Sequence, residues 1–291
     1  MMVMKYYICE QEKDTLVVRK EISLDEYSNW KKCTDKLKYY SMANCFRDIA
    51  IRNGVEVQGF LSKIRGISKR EEIAKLNTAI IGREANRLML NYLVSFRTFA
   101  DNMQAYSHHM KSGKQFEKQV INQIYDSEAV YRFSSKLRNF ATHFSMVFDS
   151  ITLESNSVRL VCSKEHLLEY QEWNTKNIAF IKACPEEYLP IHKYIEHNNV
   201  LIMSIYLGFL RYFGDDIQEM HNDAINLMKE YQIVNPFFLE SESTDLTGSH
   251  VFGLGLDILK KATDEFAQLP NVNVSYLGVD QILAKDDDST D

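Results

Sequence analysis

Apolar residues recur at spacings of three and four along most of the chain and alternate in only a few short stretches. The clearest helical stripe runs from about Arg83 to Met110, through Met89, Tyr92, Leu93, Phe96, Phe99, Met103, Tyr106 and Met110. Upstream, Ser23-Leu-Asp-Glu26 is a capping box that opens a helix to about Ile51, where Asn53-Gly54 ends it. A second box, Ser68-Lys-Arg-Glu71, starts a helix through Ile73, Leu76 and Ile80. After a polar break at Lys111–Lys114, a helix begins near Gln115, is interrupted around Asp126-Ser127, and resumes with Phe133, Leu137, Phe140, Phe144, Val147 and Ile151. Ser163 caps a short helix carrying Leu167, Leu168 and Tyr170, and a long one spans about Ile191 to Tyr231, with a break allowed at Gly214. Residues Leu256–Phe266 form a last short helix.

Alternation marks two hairpins. One lies in the first twenty residues, with Tyr7 and Cys9 on one side of Glu10–Thr15 and Leu16 and Val18 on the other. The other places Ile151 and Leu153 against Val158, Leu160 and Cys162. Glu240–Ser249 reads as a polar loop and Asp286–Asp291 as a solvated acidic tail. The pattern predicts an all-α helical bundle with small β-hairpins near the N-terminus and after the helix ending near residue 150. Three segments follow: 1–60 as hairpin plus helix, 61–235 as the bundle, and 236–291 as a C-terminal extension.

Composition agrees with long helices. In 291 residues there are only 11 Gly and 4 Pro, against 16 Phe, 16 Tyr and 11 Met, and the length suffices for a core without metal or disulfide support. The five cysteines (9, 33, 45, 162 and 184) are scattered with no C-x-x-C pair, which fits a reducing cytoplasm. The N-terminal run is interrupted at Lys5 and lacks a small-residue cleavage site, so no signal peptide is expected. The most apolar stretch, Val200–Leu210, is too short for a bilayer span, so no membrane partner is expected.

The net charge of −6 is unevenly spread. Residues 60–140 hold 14 Lys+Arg against 7 Asp+Glu, whereas 141–291 hold 10 against 24. A basic middle in an acidic protein suits a confined nucleic-acid surface, and an uneven helical surface is the plainer reading. Familiar site patterns are missing. Gly253-Leu-Gly255 lacks the third glycine and the strand of a phosphate loop. His108-His109 points to different helix faces, and His192 and His197 are five apart, so neither pair suggests a metal site, and no cofactor is implied.

One segment carries chemistry: Tyr131-Arg-Phe-Ser-Ser-Lys-Leu-Arg-Asn-Phe-Ala-Thr-His143. Its Arg138-Asn139-x3-His143 resembles the HEPN superfamily signature, an arginine followed by a polar residue and then a histidine, set in a helical bundle. The Arg-Asn-x3-His form looks most like the RNA-cleaving branch. The wider stretch, with LNYLVSFRTFADNM before the motif and a hairpin after it, resembles bacterial proteins of this group over roughly residues 75–175. A second spacing, Arg159-x6-His166, has Leu160 after the arginine and falls on an expected strand.

The resemblance implies a HEPN-like fold and a metal-independent endoribonuclease of toxin or antiviral-defence type, with RNA as substrate, a homodimer as working form, and an antitoxin or regulator as partner. Arg138, Asn139 and His143 would be catalytic. Some members carry a tyrosine two residues after the histidine, which a nucleotidyltransferase antitoxin modifies; here that position is Ser145, which argues against this mode of control.

Physical chemistry gives these residues a separate rationale. Asn139 and His143, four apart, share a face distinct from the Phe133/Leu137/Phe140 stripe, and with Met146 line a surface strip. Arg138 starts about 140° around the helix from His143 and must reach back or meet a partner's site. Histidine exchanges protons near neutrality, and arginine is a permanent, bidentate phosphate ligand. Metal-free RNA cleavage needs a base, an acid and a cation, and one motif supplies one histidine; two facing copies supply two. Asn139 would orient either His143 or the phosphate, and Asp101 or Asn102 would supply a further polar group. Arg83, Arg87, Arg97, Arg132 and Lys136 are the expected RNA-binding cations. The alternative is a non-catalytic helical module of the same fold that binds protein or RNA.

Overall fold

The computed structural model describes residues 4–13, 15–154, 156–242 and 249–272. The expected acidic tail, Asp286–Asp291, lies outside the described residues, as does most of the expected loop at 240–249. The chain folds into two compact units. One draws on residues within 1–42, 109–113 and 210–291, the other on 43–108 and 114–209. The linear division into 1–60, 61–235 and 236–291 is not the one seen, because the C-terminal strands return to the N-terminal hairpin.

In the first unit, β1 (Lys5–Glu12) pairs antiparallel with β2 (Thr15–Ile22), forming the expected hairpin. Its other edge pairs with β5 (Pro236–Ser241), which in turn pairs with β6 (His250–Gly253). The result is a four-stranded antiparallel sheet in the order β2–β1–β5–β6. All-α therefore needs correcting to mostly helical with a real sheet. The 236–253 stretch lacks clean alternation, since both Phe238 and Leu239 are buried, and strand pairing to β1 overrides its loop-like composition. The start of α1 (Leu24–Arg65) covers this sheet: Tyr27 lies 4.7 Å from Tyr6 and 5.4 Å from Phe252, and Trp30 stacks on Phe238 at 5.5 Å. The capping box forms as expected, with the Ser23 N–H donating to the Glu26 carboxylate at 2.9 Å and the Glu26 N–H donating to Ser23 Oγ at 3.2 Å.

In the second unit, α2 (Arg70–Ile73) is a single turn with no side-chain cap, so the Ser68–Glu71 box is not used. Asn77 instead caps α3 (Thr78–Ser107), accepting from the Ile80 N–H at 3.1 Å. A segmented stretch follows: α4 (Gly113–Phe116), a π-helical turn over Glu117–Ile121, and α5 (Asn122–Ser127). Extended backbone at Glu128 separates this from α6 (Ala129–His143). The second hairpin is present as β3 (Ser150–Leu153) with β4 (Val158–Val161). Next come α7 (Lys164–Leu168), capped by Ser163 as expected, and α8 (Thr175–Ala183).

Two helices are longer or less broken than their glycines suggest. α1 runs past Gly54 to Arg65, and α9 (Ile191–Tyr231) runs through Gly214. Both glycines serve close approach instead of turning. A Cβ on Gly54 would sit 2.7 Å from the Asn199 side chain, and one on Gly214 would overlap the ring of Phe266 in α10 (Leu256–Ala267).

Candidate functional site

α6 is fixed by its aromatic face. Phe133 and Phe140, seven residues apart, both stack on Trp173, at 5.5 and 6.1 Å, and Phe140 meets Tyr170 edge-on at 5.7 Å. On the α3 side, Tyr131 packs edge-on against Phe96 at 5.2 Å. A buried Asn198 amide on α9 donates to Ser134 Oγ at 2.7 Å. With one face locked in this way, the rotation of the helix is set, and Lys136, Arg138 and Asn139 are left half-buried at its edge.

The helix ends earlier than the apolar spacing predicts. It stops at His143, and Phe144 is exposed, at 47%, instead of continuing the buried stripe, while Met146 is exposed as its place on the surface strip implies. Asn86 of α3 explains the early stop. Its amide donates to the Phe148 carbonyl and its carbonyl oxygen accepts from the Phe148 N–H, both at 2.9 Å. This buried two-way pairing holds residues 147–149 out of the helix and starts the hairpin. A long-range amide of this kind has no local sequence signal.

Arg138, Asn139 and Lys136 open onto a cavity of about 360 Å3 with Arg97, Asp101, Tyr125 and Ser135. Arg138 Nη1 donates to Asn139 Oδ1 at 3.2 Å, while its Nε is buried without a hydrogen-bond partner. Arg97 is less available, because Asp101 holds it through contacts of 2.7 and 3.0 Å. Of the two polar candidates on α3, Asp101 lines the cavity, and Asn102 donates to its own helix at Thr98 instead. Beneath Tyr125, burial pushes the Tyr131 phenol up to about 12, so that group stays protonated at neutral pH.

The other expected residues are dispersed. His143, the last residue of α6, is exposed and does not line the cavity that holds Arg138. Arg132 serves the fold, donating from Nη1 to the Tyr125 and Asp126 carbonyls at 2.7 and 2.5 Å and closing the end of α5. Arg87 is paired with Glu84, and neither it nor Arg83 lines the cavity. The second arginine–histidine spacing does not form a pair. His166 packs against Phe140 and faces the Met146 carbonyl at 3.2 Å, whereas Arg159 lines a different cavity. Ser135 and Tyr125 were not singled out from sequence. Ser135 lies one turn before Asn139, and that spacing could have found it.

Among the described residues, no three His, Cys, Asp or Glu side chains come close enough to hold a metal, and no helix is long and apolar enough to cross a membrane. No protein-family model matches the chain, and comparison with curated proteins and with solved structures gives no significant match.

Proposed function

We propose that this protein is a HEPN-type endoribonuclease that cuts single-stranded RNA at a composite site formed by two copies of the chain. The observation that carries the reading is Arg138: a half-buried guanidinium with an unpartnered Nε, beside Asn139 and Lys136, in an open polar cavity. A guanidinium lining such a cavity beside an amide and an ammonium suits a phosphate oxygen, and charge-assisted bonds of this kind are among the stronger hydrogen bonds.

The separation of His143 from this cavity supports two copies acting together. Within one chain the histidine and arginine do not share a pocket. In the proposed dimer, the two-fold axis brings both His143 side chains and both Arg138 side chains to one phosphate. The exposed Phe144 and Met146 beside His143 supply apolar surface for such an association. The 2′-oxygen attacks phosphorus as one His143 removes its proton, the bond from phosphorus to the 5′-oxygen breaks, and the second His143 protonates that oxygen. The products are a 2′,3′-cyclic phosphate and a 5′-hydroxyl. The arginines stabilise charge on the phosphorane. The setting suggested by the family resemblance is a toxin or antiviral-defence system.

The test is cleavage of a single-stranded RNA in excess chelator at protein concentrations spanning self-association, followed alongside sedimentation. Activity should rise with the dimer fraction, and a mixture of Arg138→Ala and His143→Ala chains should regain part of it. Full activity in a strictly monomeric protein would exclude the composite site. RNA or protein binding with no cleavage at any concentration would favour the non-catalytic module.

A further inference from the structure

A second cavity in the same unit, of about 370 Å3, lies where the end of α1, strand β4 and the start of α9 meet. Arg65, the last residue of α1, Arg159 on β4 and His192 in the first turn of α9 all line it. No Asp or Glu is among its lining residues. Burial, and then the charges of Arg65 and Lys193, lower the His192 imidazole below its ordinary value, with Glu196 opposing. Two arginines gathered with no carboxylate among the lining residues create a local positive potential.

Arg159 is held in place. Arg159 Nη1 donates to the Tyr188 hydroxyl, and the guanidinium lies 5.0 Å from the Tyr188 ring centre. Tyr188 is held by main-chain pairing with Ser163, flanked by Leu189 N–H to Cys162 carbonyl at 2.9 Å and Lys164 N–H to Glu187 carbonyl at 3.0 Å. The adjoining first turn of the 41-residue helix α9 adds its N-terminal dipole. The remaining wall is apolar, chiefly Leu61, Ile64, Phe148, Leu160 and Leu189.

We infer that this cavity binds a phosphomonoester carried on an aromatic body, of about mononucleotide size. Guanidinium forks and a helix N-terminus match the dianionic group, and the apolar wall matches a flat ring system. The volume falls within the range of small-molecule sites, about 300–1,000 Å3. The assignment is independent of the ribonuclease reading, because the two cavities share no lining residue.

Calorimetric titration of the full chain with adenosine 5′-monophosphate, adenosine, inorganic phosphate and glucose 6-phosphate tests it. The nucleotide should bind at least tenfold more tightly than each of the other three. Arg65→Gln should weaken the nucleotide by tenfold or more with an unchanged melting temperature, and His143→Ala should leave it unchanged. Arg159→Gln should weaken it as well; should that variant unfold through loss of the Tyr188 contact, the exposed Arg65 position still decides. Equal affinity for adenosine would exclude the phosphate role, and equal affinity for glucose 6-phosphate would exclude the aromatic body. No binding of the nucleotide at millimolar concentration, or an unaltered affinity in Arg65→Gln, would overturn the site.

Discussion

The second unit holds two cavities of nearly equal size, about 360 and 370 Å3, each containing more than one arginine, and they differ in what surrounds the charge. At the α6 cavity, Asp101 holds Arg97, and the remaining lining is polar: Lys136, Asn139, Ser135 and Tyr125. At the hairpin cavity, no carboxylate intervenes and aliphatic and aromatic side chains form most of the wall. A polar, partly neutralised surface suits a chain that passes across it, held by successive phosphates. An apolar wall with concentrated charge suits a small molecule that is enclosed. Counting arginines alone would have made the two sites equivalent; their neighbours distinguish them.

The sharpest way to break this comparison is His143→Ala. Removing a general acid–base group should lower RNA cleavage in chelator by about 10²–10⁴-fold, while the hairpin cavity keeps its ligand affinity. Cleavage at the wild-type rate would remove His143 from the chemistry.

Next in size is Asn86→Ala, which leaves the buried Phe148 N–H and carbonyl without partners. A loss of about 2–6 kcal/mol in urea unfolding is expected, from two groups at about 1–3 kcal/mol each. Phe148 also lines the hairpin cavity, so nucleotide affinity there should fall, whereas the sequence tolerance of RNA binding should not change. A stability change within error would mean that the pairing does not hold the loop.

A smaller effect is expected from Arg97→Gln with Lys136→Gln. If both contact phosphate, the slope of log affinity for single-stranded RNA against log salt should flatten by about 1.4, two contacts at about 0.7 each. An unchanged slope would make the α6 cavity a solvated surface. The smallest effect belongs to Arg87→Gln, since Arg87 is an exposed residue already engaged by Glu84. Its RNA affinity and its thermal midpoint should match those of the native chain. A clear loss of affinity would extend the RNA surface along α3.

Local rules made much of this legible. The Ser23 capping box, the two hairpins, the Ser163 cap and the helix from Ile191 to Tyr231 all depend on residues close in sequence, and each forms. What was illegible depends on distant partners. Gly54 and Gly214 read as breaks because their close neighbours, Asn199 and Phe266, are far along the chain. Strand β5 goes unrecognised, and its end at Glu240 and Ser241 reads as loop, because its pairing partner β1 lies at the far end of the sequence; the end of α6 is set by Asn86 on another helix. For the candidate site, spacing groups Asn139 with His143 on one face, whereas the folded chain sets Asn139 with Arg138 at the cavity and leaves His143 outside it. Spacing also overextended the helix beyond His143, and so mistook exposed Phe144 for core. Which cations are engaged elsewhere, as Arg132 and Arg87 are, depends on carbonyls and carboxylates that only the folded chain brings near.

The pairing of Cys9 with Phe237 and of Tyr7 with Leu239 has a consequence during synthesis. At about 5–20 residues per second, strand β1 emerges from the ribosome tens of seconds or more than ten seconds before its partner exists. Throughout that interval the β1–β2 hairpin has an open edge, and the residues of the second unit, nearly continuous in sequence, are translated while it waits. Charged side chains along the hairpin, with Arg19 bridging Glu10 and Glu12, discourage the exposed strand from pairing with a neighbouring nascent chain. Completion of the sheet therefore waits until β5 and β6 have emerged, and a protein cut short before residue 236 would leave that edge uncovered.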